Sequence, residues 1–143
     1  MDSQYDFLII GGGIAGLSFA LKAAEKGSVG IITKENPNES NTSYAQGGIA
    51  GVWDNGDDFK KHIIDTLDAG SGLNNNKVVE IVVKEAKERI NELIEWGTHF
   101  DKNKNGEYDL AKEGGHSENR ILHHKDITGK EIVRALIEPI YLT

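Results

Sequence analysis

Residues 5–17, "YDFLIIGGGIAGL", constrain this chain more than any other stretch. A short apolar run over 5–10 stops abruptly at three glycines, and small and apolar residues at helical spacing follow over 14–26. That order reads as a buried strand, a tight turn and a helix. The sequence predicts Gly27 as the left-handed residue that ends the helix, and "VGIIT", 29–33, as a second buried strand. Strand, turn, helix, strand opens a parallel α/β unit with a right-handed crossover. Gly11, Gly13 and Gly16 complete a G-x-G-x-x-G in the context its mechanism needs. Gly11 permits the turn, Gly13 lets backbone approach a pyrophosphate, and Gly16 lets the helix pack on the strand. An anion there meets unpaired N–H groups and the positive end of the helix dipole. The turn, Gly11, Gly12, Gly13, Ile14, Ala15 and Gly16, is therefore a dinucleotide site. The acid that takes an adenosine ribose at the end of the second strand is displaced, because Thr33-Lys34 stands there with Glu35 one place later. Lys34 is either a partner for a phosphate or cofactor oxygen, or a solvated lysine.

The polar segment "ESNTSYAQGGIAG", 39–51, follows the second strand and emerges at the end of the sheet where dinucleotides lie. Asn41, Thr42, Ser43, Tyr44, Ala45, Gln46, Gly47 and Gly48 can run along the cofactor, with the glycine pair allowing close approach. Further on, the pattern predicts an amphipathic helix over 57–69 carrying Phe59, Ile63, Ile64 and Leu67 on one stripe. It predicts a longer helix over 77–96 with Asn76 as N-cap and Gly97 as its stop. A short hairpin over 98–110 and a helix over 129–138 follow, with Pro139 closing or kinking the latter. Only two parallel strands are evident, fewer than a doubly wound sheet needs. The expectation is therefore one domain, residues 1–143, forming the amino-terminal part of a longer protein.

Sixteen Lys and Arg against 23 Asp and Glu give a net charge of −7, which argues against a nucleic-acid surface. Without cysteine there is neither a disulfide nor a thiolate metal site. The first residues have no signal-peptide pattern and no apolar run reaches the ~20 residues of a membrane span, so a cytoplasmic location is expected. "DKNKNGEYDLAK", 101–112, begins like a calcium loop but carries Lys112 where the twelfth, bidentate glutamate belongs. His116, His123 and His124 have no spaced carboxylate partner in the sequence. No metal site is expected, and hydrogen-bonding or packing roles are assigned to the histidines.

"IIGGGIAGL", "SNTSYAQGGIAGV" and "KEGGHSENRILHHKDITGKEI" together resemble the flavoprotein family that contains succinate dehydrogenase, fumarate reductase and L-aspartate oxidase. The resemblance covers almost the whole chain and is strongest toward the aspartate-oxidising branch. It implies an α/β fold, the first part of a Rossmann-like FAD-binding domain with its sheet incomplete in this chain. It also implies FAD rather than NAD, contacted by residues 12–15, Lys34 and 41–48. Respiratory members place a flavin-linked histidine immediately before the loop threonine; this chain has Asn41 before Thr42, which implies non-covalent FAD. Glu113 matches a glutamate at the substrate site of the aspartate-oxidising branch, where a carboxylate favours the α-ammonium group and repels a third carboxylate. A solvated glutamate beside a glycine turn is the alternative. By resemblance the whole enzyme moves a hydride from C2 of L-aspartate to the flavin and yields iminosuccinate. Oxygen or fumarate reoxidises the flavin, and quinolinate synthase takes the product toward NAD. The family's catalytic arginine and histidines fall beyond Thr143. A soluble fumarate reductase or succinate oxidiser, a nucleotide-binding fragment without turnover, and an NAD-binding dehydrogenase half are the other readings.

Overall fold

The computed structural model describes residues 4–141. β1 (Phe7–Ile10) and β2 (Val29–Ile32) pair in parallel, Phe7 opposite Val29 and Ile10 opposite Ile32, with α1 (Ile14–Ala24) between them. Leu17, Ala20 and Ala23 bury one face of α1. The opposite sheet face carries Leu8, Ile10 and Ile32, all exposed. Because paired residues share a face, α1 covers one side of this ribbon and leaves an apolar side bare.

α1 ends differently from the expectation. Gly27 does not adopt the left-handed conformation; the helix closes at Glu25, and Lys26 and Gly27 both donate to the Ala23 carbonyl. Gly27 is instead a contact point, since a Cβ there would stand 2.7 Å from an Asp6 carboxylate oxygen. That carboxylate accepts both the N–H and the hydroxyl of Ser28, each at 2.8 Å, and so ties the start of β1 to the start of β2.

A second sheet holds the rest together. β3 (Ile49–Ala50), β4 (Leu110–Ala111) and β5 (Ile121–Leu122) form an antiparallel sheet in the order β3-β5-β4. The sequence does not announce it, because two-residue strands have no readable period. The expected hairpin reduces to the bridge Lys102–Tyr108, while residues beyond it pair with β5.

α2 (Phe59–Ala69) and α3 (Asn76–Glu95) pack as neighbours. The α3 cap is Asn75, which accepts Val78 N–H at 3.3 Å, and Asn76 is already helical. Gly97 ends α3 as expected, with φ +96° and Thr98 N–H bonded to the Leu93 carbonyl at 2.9 Å. The predicted α2 stripe is only partly covered: Phe59 and Ile64 remain exposed and His62 is that helix's buried residue. α4 (Thr128–Tyr141) lies at the centre, its Ile132, Val133, Leu136 and Ile137 packed with Leu17 and Leu93. Pro139 sits inside its last turn and does not close it. No helix among the described residues is long and apolar enough to cross a membrane.

Candidate functional site

The turn between β1 and α1 is built around missing side chains. Gly11 has φ +110°, a region that L side chains rarely adopt. A Cβ on Gly16 would overlap the Gly11 carbonyl, so β1 and α1 meet there backbone to backbone. A Cβ on Gly11 would meet nothing within 4 Å, and one on Gly13 only the Thr42 hydroxyl at 3.5 Å. Open space therefore lies before the N-terminus of α1, whose cap is Gly13 and whose first turn has no acid. This cradle leaves room for a pyrophosphate at a helix N-terminus, where the helix dipole favours an anion.

Thr42 crosses to this helix. Its hydroxyl accepts Ile14 N–H at 3.1 Å, fixing the 41–48 segment at the mouth of the turn. Ser43 anchors the segment on its other side, donating to the Asn38 carbonyl at 2.6 Å. Asn41, Tyr44, Ala45, Gln46, Gly47 and Gly48 are exposed beside it, as is Lys34 just past β2. Thr33, which the sequence did not single out, faces the turn: a Cβ on Gly12 would come within 2.8 Å of its methyl group.

Sequence reasoning also missed how α4 holds this loop. Gly129 N–H donates to the Ala45 carbonyl at 2.9 Å, and a side chain at Gly129 would overlap the Thr42 carbonyl. Thr128 donates to the Gln46 carbonyl at 3.4 Å and accepts His124 N–H at 2.9 Å. Gly129 was legible only as the start of a helix.

The glycine pair serves protein contacts. A Cβ on Gly48, at φ +152°, would strike Ile121 and the Leu122 carbonyl, so the chain enters β3 pressed against β5. Gly47 faces Glu113: a Cβ there would lie 2.5 Å from Oε1 and 3.4 Å from Cδ. The third block of the sequence thus meets the second through Glu113. Glu113 opens a turn closed by His116 N–H to its carbonyl at 3.1 Å, with Gly115 at φ +88° in the third position.

Behind this turn lies a buried ionic cluster. Arg120 is fully buried and donates two parallel bonds to Asp57, both at 2.8 Å, and a third to Asp65 at 2.6 Å. Asp65 also accepts Ser117 N–H at 2.7 Å and its hydroxyl at 2.8 Å. Burial opposes the charge on Asp65, but these bonds outweigh it and hold the carboxyl at about 2. His62 packs edge-on against His116 at 5.9 Å. Burial first, and the Arg120 charge second, push His62 below its ordinary value. His123 and His124 both face Asp101, at 3.3 and 3.5 Å. Asp101 in turn accepts Lys125 N–H at 2.6 Å, so the carboxylate that opened the calcium-like pattern fixes the turn before α4.

Residues 6–141 match the family model described as FAD binding domain. The chain belongs to that family. FAD is its cofactor, and the open glycine cradle fits the group. L-aspartate oxidase of Oryza sativa is 48% identical over 136 residues, 95% of this chain and 21% of the rice protein. L-aspartate oxidase of Vibrio cholerae is 43% identical over 140 residues, 94% of this chain and 26% of that protein. Among solved structures, E. coli quinol fumarate reductase superposes with a TM-score of 0.90 at 29% identity, over 98% of this chain and 24% of that one. The chain therefore spans about a quarter of the length of such relatives, and its likeness to them covers nearly all of it.

Proposed function

We propose that residues 1–143 are the amino-terminal part of a single FAD-binding domain in an L-aspartate oxidase. The observation that carries this reading is the Glu113 carboxylate seated against Gly47 of the loop that Thr42 anchors to α1. The names of the rice and Vibrio relatives support it.

In this reading the N-terminus of α1 takes the pyrophosphate. Residues 12–15, Lys34 and 41–48 line the nucleotide, and Asn41 leaves the flavin without a covalent bond. FAD supplies the acceptor for the hydride leaving C2 of aspartate. Glu113 holds the substrate's ammonium group and disfavours a ligand with a third carboxylate. Iminosuccinate is the product; oxygen or fumarate restores the oxidised cofactor, and quinolinate synthase is the next enzyme. A cytoplasmic location suits this chemistry, although the rice relative is described as chloroplastic.

A soluble fumarate reductase is the second reading, favoured by the backbone likeness to the E. coli enzyme. Anaerobic mixing of the full-length protein with aspartate or with succinate separates the two. Aspartate should bleach the flavin and succinate should not; bleaching by succinate alone would select the second reading.

A further inference from the structure

We propose that Arg120 is a positioning residue, one that clamps the 112–119 loop to α2 and thereby sets where the Glu113 carboxylate stands. The proposal rests on the oxidase reading for what Glu113 does, but the clamp itself is read from this chain. Arg120 stands just before β5, where its N–H bonds to the Ala111 carbonyl at 3.1 Å and its carbonyl accepts Gly51 N–H at 3.0 Å. Its backbone is thus fixed on both sides by the small sheet. Its guanidinium reaches Asp57, just before α2, and Asp65 within it.

Asp65 completes the chain of contacts by taking both the N–H and the hydroxyl of Ser117. From Ser117 the path to Glu113 is short. Lys112 Nζ donates to the Ser117 carbonyl at 2.9 Å, and His116 N–H closes the turn onto Glu113. Lys61 of α2 adds an ion pair to Glu118 at 2.7 Å.

A fully buried ion pair is a poor device for stability alone, because desolvation offsets most of its attraction. Its value lies in geometry: a planar guanidinium bonded through several nitrogens admits one arrangement, which lysine cannot reproduce. The cluster is also short of one positive charge, since a single Arg120 faces two carboxylates. His62, whose pKa is lowered by burial first and Arg120 second, packs edge-on against His116 of the same loop. Among the described residues, the side-chain bonds of this cluster run to Asp57, Asp65 and the 112–119 loop, which carries Glu113.

The test uses the full-length, FAD-loaded protein and the variants Arg120→Lys and Asp65→Asn. Amide hydrogen exchange should quicken over residues 113–119 while β1 and α1 keep their protection. In the oxidase assay, kcat/KM for aspartate should fall about tenfold or more, chiefly through KM, and fumarate reduction should change by less than about threefold. Combined with Glu113→Gln, Arg120→Lys should add little further loss, because both remove one interaction. Equal losses on both substrates, or additive losses in the double variant, would make Arg120 a fold-stabilising residue and overturn the proposal. If Arg120→Lys does not fold, Ser117→Ala removes the hydroxyl bond to Asp65 and leaves the N–H bond, so the same changes should appear in smaller size. Should the unaltered protein fail to oxidise aspartate, the oxidase reading falls. The exchange result still judges the clamp, and unchanged protection over 113–119 would reject it.

Discussion

Replacing Gly47 with alanine moves Glu113 without altering it. The new Cβ would sit 2.5 Å from Oε1, against an ordinary contact of 3.4–4 Å, so the carboxylate must retreat by about 1 Å. Gly47 is not in the left-handed region, so alanine brings no backbone strain. The obstructing atom ends a flexible side chain, and the fold should accept the change. A charge-assisted hydrogen bond is worth roughly 1.5–3 kcal/mol, which corresponds to about tenfold to over a hundredfold in kcat/KM. Misplacement by about 1 Å can cost as much as removal. Steady-state assays of the full-length enzyme should therefore show aspartate oxidation reduced by about that factor, with FAD retained. Fumarate has no ammonium group, and its reduction should be nearly unchanged. Equal loss on both substrates would mean that alanine disturbs the flavin loop itself. No loss on either would show that the Glu113–Gly47 contact has no bearing on substrate.

Glu113→Gln, which keeps the shape and removes the charge, should reproduce the aspartate defect and spare or improve fumarate reduction. Gly16→Ala drives a Cβ into the Gly11 carbonyl; overpacking of this kind costs about 1–3 kcal/mol or more, and a fluorescence titration should show FAD affinity collapsing. Acid precipitation should leave the yellow colour of the full-length protein in the supernatant, since Asn41 cannot form the histidyl bond; flavin in the washed pellet would contradict this. Burial opposes the charge on Glu131, but bonds from Arg134 and the His99 N–H hold its carboxyl at about 2, below its ordinary 4.5. A depressed carboxyl stabilises the fold fully above its unfolded value and loses that contribution as pH falls from about 4.5 toward 2. Denaturant midpoints should drop through that window and drop less in Glu131→Gln.

The β1-α1-β2 unit was legible because a buried strand, a glycine turn and an apolar helix face are local patterns. Gly97 was legible for the same reason. The caps near 75 were not, because Asn74, Asn75 and Asn76 offer three equivalent carboxamides and only the backbone decides which one stands outside the helix. Ile49 and Ala50 became a strand through pairing with residues about seventy positions away, a tertiary effect with no local trace. Arg120 lies in the third block of the resemblance, and no local pattern there marks it as buried. Its burial depends on Asp57 and Asp65, 63 and 55 positions distant. Pro139 reads as a stop or a kink because its missing N–H is visible, whereas the packing that carries α4 past it is not. Glu113 and Gly47 were each singled out, yet their contact crosses two blocks and needed the small sheet to bring it about.

A crystal structure of the full-length protein with FAD and succinate, a non-ammonium analogue of aspartate, tests the assigned site most directly. The pyrophosphate should lie before Gly13 at the N-terminus of α1, with residues 41–48 along the nucleotide and Glu113 facing the carbon of succinate that bears the ammonium in aspartate. A cofactor bound away from the Gly11–Gly16 turn, or a Glu113 carboxylate turned from the substrate, would contradict it.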